Sequence, residues 1–201
     1  MKRAVAHLLS SDPVMARVIG RVGVFRMRYR PPTFETLARS IVYQQLSGKA
    51  AATIYGRLSA AAGPAGVTPS TVARLSAEEL RAAGLSAAKA AALHDLANHA
   101  RRRRLRFDRL PDLPDEEVVR QLVQVRGVGV WTAQMFLMFG LRRRDVLPVQ
   151  DLGIRTAVRR EYELDQLPGP GELHQIAAPW RPFASVACWY LWRSLDGPAA
   201  L

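Results

Sequence analysis

The stretch Leu122-Val-Gln-Val-Arg126-Gly127-Val128-Gly129-Val130-Trp131-Thr132-Ala133-Gln134 decides how this chain is read. An amphipathic segment that begins near Asp115 runs into two glycines one residue apart, and a second apolar segment follows at once. Glycine has no Cβ, so the backbone can turn tightly there and approach another surface closely. Amides at the start of the second helix point outward and favour an anion such as phosphate. The same pattern also serves as a plain turn between two packed helices, and taken alone it leaves both readings open.

Helical periodicity continues on both sides of the hairpin. No stretch alternates apolar and polar residues over several β-branched positions, so the sequence predicts an all-α fold. Pro13 opens a first helix carrying Val14, Val18, Ile19 and Val22, and Thr33 caps one with Phe34, Leu37, Ile41 and Val42 turned inward. A helix from about Gly48 to Ala62 is followed by the loop Gly63-Pro64-Ala65-Gly66 and by short helices starting near Pro69 and Ser76. Ser76 and Glu79 have capping-box spacing. Ser86 restarts a long alanine-rich helix through Lys89, Leu93 and Leu96 toward the run Arg101 to Arg104, whose cations complement a helix dipole or meet phosphate.

Beyond the hairpin, Arg142-Arg-Arg144-Asp145-Val-Leu147-Pro148-Val149-Gln150-Asp151-Leu152 presents a carboxylate at the entrance to another helix. Asp151 suits an N-cap, and a negative charge held at a helix N-terminus is also what a developing glycosyl cation needs opposite it. The two roles are compatible.

The chain has 201 residues, 49% of them apolar, which suffices for one domain or two small interlocked ones. Its 29 basic and 17 acidic residues leave a net charge of +12, and only Lys2, Lys49 and Lys89 are lysines. Arginine's planar fork suits phosphate oxygens, so nucleic acid is the first partner to consider; a GC-rich genome would also enrich arginine. The lone Cys188 excludes an internal disulfide framework, a cysteine-ligated zinc site and a four-cysteine iron–sulfur cluster. Charged residues interrupt the N-terminal apolar run before a signal-peptide core or a membrane span can form, so a cytoplasmic protein is expected.

Four ordered landmarks give the chain a family likeness from about Phe34 to Trp192. They are Ile41-Val-Tyr43-Gln44-Gln45-Leu46-Ser47, then Gly84-Leu85-Ser86-Ala-Ala-Lys89-Ala90, then the hairpin with Asp151, and last Trp180-Arg181-Pro182-Phe183 to Trp192. In these the chain resembles the helix-hairpin-helix base-excision DNA glycosylases, and within them the 3-methyladenine glycosylase II branch. The resemblance implies two interlocked helical subdomains, 1–40 with 146–201 and 41–145, the second carrying the helix-hairpin-helix at about 116–140. Asp151 matches the catalytic aspartate. Gly127 and Gly129, with Arg126, Val128 and Thr132, match the hairpin that holds a DNA phosphate, commonly through Na+ or K+ bound by backbone, here of Val125 and Val128. Trp131 and Trp192 match aromatic positions at the base pocket, to which Tyr43, Phe34 and Met135 are assigned. Gln45, or Leu46 after a one-residue shift, falls where relatives fill the gap left by a flipped nucleotide, with Ser47 and Lys89 as further DNA contacts.

Two departures narrow what the resemblance implies. Trp131 stands where the strand-cutting branch carries a lysine, and tryptophan cannot form a Schiff base. The implied activity is therefore that of a monofunctional glycosylase, which removes 3-methyladenine- or 7-methylguanine-type bases from duplex DNA and leaves an abasic site. No cofactor beyond the hairpin cation is expected, nor an iron–sulfur cluster, a membrane partner or an accessory N-terminal β-domain, and the protein is expected to be a monomer. Met135 and Leu152 replace aromatic pocket residues, so the range of bases stays open. A module that only holds DNA, and a glycosylase for other bases such as uracil or hypoxanthine, are the alternatives.

Overall fold

The computed structural model describes residues 1–195, which form twelve α-helices and no strand. The all-α expectation holds. Among these residues no helix is long and apolar enough to cross a membrane. The chain divides into two compact units, one made of Met1–Tyr29 and the chain from Arg142 onward, the other of Arg30–Leu141. The divisions expected after 40 and 145 thus fall at 29 and 141, and the helix Phe34–Tyr43 lies in the central unit, where it packs on two of that unit's other helices.

Helices α1 (Lys2–Ser11) and α2 (Pro13–Val22) open the first unit. The sequence reading starts its first helix at Pro13 and misses α1, which buries only Ala4 and Leu8 and so has too narrow an apolar stripe to be recognised. Asp12 joins the two. Its Oδ1 accepts from the amides of Val14 and Met15 at 2.8 and 3.1 Å, capping α2 immediately before Pro13.

The central unit holds α3 (Phe34–Tyr43), α4 (Gly48–Ala62), α5 (Pro69–Arg74), α6 (Ala77–Ala82), α7 (Ala87–Arg101), α8 (Asp115–Leu122) and α9 (Val130–Met135). Capping follows the sequence reading: Thr33 accepts from Thr36, Ser86 from Lys89, and Ser76 and Glu79 close a reciprocal box. The alanine-rich α7 is the element on which α3, α5 and α6 all pack, with Ala90, Leu93, Leu96 and Ala97 buried. Beyond Met135 the helix widens into a π-turn, Phe136–Gly140, that buries Phe136, Leu137 and Met138.

Helices α10 (Leu152–Glu161), α11 (Pro170–Ile176) and α12 (Ala184–Leu195) complete the first unit, where α12 packs on α2 and α10. Trp180 is fully buried, and its Nε1 donates to Asp12 Oδ2 at 2.9 Å; the Tyr162 hydroxyl donates to the same oxygen. One carboxylate therefore caps a helix and satisfies two aromatic donors, the buried indole of Trp180 and the half-buried hydroxyl of Tyr162, groups that are costly to leave unpaired away from water. Trp189, half-buried, packs with Phe25 and Tyr190, ring centroids 4.6 and 5.0 Å away.

Candidate functional site

The hairpin joins α8 to α9 as its glycine pattern requires. Gly127 has φ +75°, and a Cβ there would lie 3.3 Å from Cβ of Ala92 on α7, so the turn and the close approach both demand glycine. Gly129 has ordinary extended backbone, caps α9 without a side chain, and has open space around its Cα. Val125 and Val128 are buried beneath the turn while Arg126, Gly127 and Gly129 stay exposed. Two bonds fix it: the Arg126 amide donates to Asp95 Oδ2 on α7 at 2.8 Å, and the Gly127 carbonyl accepts from Gln44 Nε2 at 3.0 Å.

Gln44 belongs to the second exposed turn of this unit, between α3 and α4. Gln45 lies in the left-handed region with φ +55°, and Gln45, Leu46 and Ser47 are exposed. Ser47 caps α4 through the Ala50 amide. Lys89, expected as a DNA contact, reaches beneath this turn, where its Nζ donates to the carbonyls of Val42 and Gln44, both at 2.7 Å. Burial lowers its pKa from the usual lysine value. Its visible task is to hold the turn in place.

An open cleft of about 550 Å³, within the range of small-ligand sites, lies in the same unit between this turn and α9. Its apolar lining includes Trp131, Met135 and Tyr43, three of the expected pocket residues. Trp131 is 45% exposed, unusual for so large an apolar side chain. The Tyr43 hydroxyl accepts from Arg39, whose guanidinium lies 4.1 Å over that ring and 4.8 Å from the ring of Tyr55. Tyr55 in turn donates to Glu35 at 2.8 Å, and burial together with that carboxylate raises its pKa. Phe34, also assigned to the base pocket, is buried at the start of α3 in an edge-to-face cluster with Phe107, 6.2 Å between centroids, and is not among the side chains that line this cleft.

The other unit holds Asp151. It is 8% exposed and caps α10, its Oδ1 accepting from the Ile154 amide at 2.8 Å and from Trp192 Nε1 at 2.9 Å. A Cβ on Gly153 would come within 3.1 Å of Asp151 Oδ1 and of Trp192 Cδ1, so glycine keeps open the space in which they meet. Within its unit, then, the indole of Trp192 orients the carboxylate. Cys188 is buried nearby, its thiol pKa pushed up by burial and then by the charge of Asp151.

The arginines flanking Asp151 are largely engaged in structure. Arg155 Nε donates to the Pro168 carbonyl at 2.9 Å, Arg142 stacks over Tyr29 at 5.0 Å, and Asp145 is paired with Arg181. Glu161 is buried and bound by both Arg21 and Arg160. No cluster of three or more His, Cys, Asp or Glu among the described residues could hold a metal ion. The hairpin does offer carbonyl oxygens of the kind hard cations prefer, although the one on Val125 already accepts from the Val128 amide at 3.0 Å.

Two helices joined by a glycine turn, in a chain that also offers an indole-oriented aspartate, describe a helix-hairpin-helix protein of the base-excision type. The chain belongs to the HhH-GPD superfamily of base excision DNA repair proteins, which it matches over residues 38–182. The YfjP protein of Bacillus subtilis is 33% identical over 81% of this chain, which spans 59% of that protein's length. The crystal structure of a DNA-3-methyladenine glycosidase from Bacillus halodurans superposes with a TM-score of 0.88 at 35% identity, covering 96% of this chain and 89% of that one. A 3-methyladenine DNA glycosylase of Schizosaccharomyces pombe, solved in complex with abasic DNA, gives 0.86 at 32% identity and covers 96% and 97%.

Proposed function

We propose that this protein is a monofunctional DNA glycosylase that excises alkylated purines from duplex DNA and leaves an abasic site. The observation that carries the proposal is the Asp151 carboxylate, buried at the start of α10 and held by Trp192 and the Ile154 amide. The names of the Bacillus halodurans and fission-yeast relatives support the same substrate class.

An alkyl group at N3 or N7 makes the purine cationic. When the C1′–N bond breaks, its electron pair neutralises the departing base and the sugar becomes an oxocarbenium ion. Little acid assistance is needed, which explains how one carboxylate can serve where glycosidases use two. Asp151 stabilises that cation electrostatically; water then adds to C1′ and loses a proton, giving the abasic sugar. Two N–H donors hold the carboxylate in place, so it has little reorganisation to undergo as charge develops. Trp131 and Tyr43 offer π-faces to a cationic base, worth about 0.5–2 kcal/mol per good contact. Unstacking that base costs a few kcal/mol, less when it is damaged, and Gln45 or Leu46, at the exposed turn, fills the gap. The hairpin holds a phosphate, and a Na+ or K+ on the Val125 and Val128 carbonyls would supply positive charge to it. Trp131 supplies no amine for strand cutting.

The Ile154 bond also fits a module that merely holds DNA, with Asp151 as a cap and nothing more. Free-base release from alkylated duplex DNA, measured by mass for wild type and Asp151→Asn, separates the two. The glycosylase reading expects 3-methyladenine or 7-methylguanine from wild type alone, with the strand intact until alkali is added. Tight binding without release of any base would leave the holding module.

A further inference from the structure

The charge of the central unit is concentrated at one place. Arg30–Leu141 contains 15 basic and 9 acidic side chains, a net +6, yet residues 101–109 alone hold six arginines and one aspartate; without them the unit would carry +1. A composition-wide bias toward arginine does not produce such a concentration. Asp108 is shared by Arg106 and Arg109, while Arg101, Arg102, Arg103 and Arg104 are exposed and form no ion pair among the described residues. Four uncompensated guanidinium groups on adjacent residues repel one another, and an anion with spaced charges relieves that repulsion.

The position of the cluster relative to the hairpin identifies the anion. It stands at the C-terminal end of α7, the helix whose Ala92 touches Gly127 and whose Asp95 binds the Arg126 amide. Two shallow polar grooves link the places. Arg126, Asn98, Gln124 and Asp95, whose carboxylate is bound by the Arg126 amide, line the one beside the hairpin, and Gln124, His99 and Arg104 line the next, so the grooves share Gln124. From Ala92 to Arg101 is about 14 Å at 1.5 Å per residue, several times the 3.4 Å axial spacing of phosphates on one strand. A polyanion that continues away from the hairpin with regular phosphate spacing fits this path.

We propose that Arg102, Arg103 and Arg104 form a second phosphate-binding surface for duplex DNA, gripping a backbone beyond the phosphate at the hairpin. The proposal rests on the DNA-acting function above and adds a distal footprint to it. These side chains are remote from the base-binding cleft, so they contribute to affinity and leave bond cleavage untouched.

The test compares wild type with the triple variant Arg102→Gln, Arg103→Gln, Arg104→Gln. Two duplexes containing an abasic-site analogue are used, one with both arms long and one whose arm on the hairpin side ends at the phosphate held by the hairpin, short of the proposed surface, while its other arm stays long enough to keep the strands paired. On the long duplex the variant is expected to bind about tenfold more weakly, with the salt slope smaller by about 2–3, near 0.9 per lost phosphate contact. On the short duplex variant and wild type should bind alike, and single-turnover base release from a separate, alkylated long duplex at saturating protein should be unchanged. Equal binding of variant and wild type to the long duplex would overturn the proposal and leave the arginines as a solvated helix end or a site for an acidic protein. Equal losses on both duplexes would overturn the distal placement. Wild type that neither binds DNA nor releases base would defeat the glycosylase reading itself, a different failure from the first two.

Discussion

Trp192 reaches Asp151 through a gap that exists because residue 153 has no side chain. The indole N–H and the carboxylate Oδ1 are 2.9 Å apart, and a Cβ on Gly153 would come within 3.1–3.2 Å of both groups. Asp151 is thereby fixed by one bond from its own helix and one from α12.

Replacing Asp151 with Asn keeps the cap, since Asn accepts the Ile154 amide as well as Asp does, but removes the charge. Base release is expected to fall by about 100-fold or more while stability falls by only about 1 kcal/mol, the difference between a charged and a neutral acceptor for Trp192. Single-turnover excision paired with thermal unfolding checks both halves.

Gly153→Ala forces Trp192 and Asp151 apart. Overpacking of this kind costs about 1–3 kcal/mol, and a carboxylate displaced by a fraction of an ångström should lower the excision rate by about tenfold or more. Trp192→Phe removes the donor without adding bulk, and a hydrogen bond to a charged group is worth about 1.5–3 kcal/mol. If the pair orients the carboxylate, both variants lower kcat more than they raise KM; an effect confined to KM would assign Trp192 to base binding alone.

The two hairpin glycines are expected to separate folding from DNA contact. Gly127→Ala puts a side chain at φ +75° and close to Ala92, a loss of about 1–2 kcal/mol visible as a lower Tm. Gly129→Ala has ordinary backbone and open space, so its stability should stay within about 0.5 kcal/mol of wild type while its affinity for DNA falls, because the methyl group obstructs the phosphate.

Glu161 makes one part of the stability pH-dependent. Burial opposes its ionisation, but hydrogen bonds from Arg21 and Arg160 outweigh burial and hold its carboxyl below the ordinary 4.5. Its folded pKa is thus lower than its unfolded one, so the stabilisation is complete above 4.5 and is lost as pH falls through the folded value. Thermal unfolding of wild type and Glu161→Gln should show a Tm gap at neutral pH that narrows steadily in acid; a constant gap would contradict this account.

Local chemistry was the legible part of the chain. Thr33, Ser76, Ser86 and Asp151 each cap a helix through an amide three residues ahead, and that relation is visible within four letters of sequence. Bonds across the fold were not legible. Gln44 meets the hairpin across 83 residues, Trp180 meets Asp12 across 168, and nothing in the local pattern marks either pair. The place of Phe34 was not legible either, since an aromatic at a helix start looks the same whether it lines a cleft or fills a core. Lys89 could have been suspected, because a lysine kept among so many arginines suits a place where a compact ammonium must serve two carbonyls and a planar fork would not fit.

That lysine is the first of three marks on one ruler. Lys89, Ala92 and Asp95 stand three residues apart on α7, a rise of about 4.5 Å each, and they hold in turn the Val42–Gln44 backbone, Gly127 and the Arg126 amide. The turn carrying Gln45 and Leu46 and the hairpin are therefore gauged against the same rigid rod. A single residue inserted into α7 between Lys89 and Ala92 would rotate everything beyond it by about 100° and leave both turns folded but out of step.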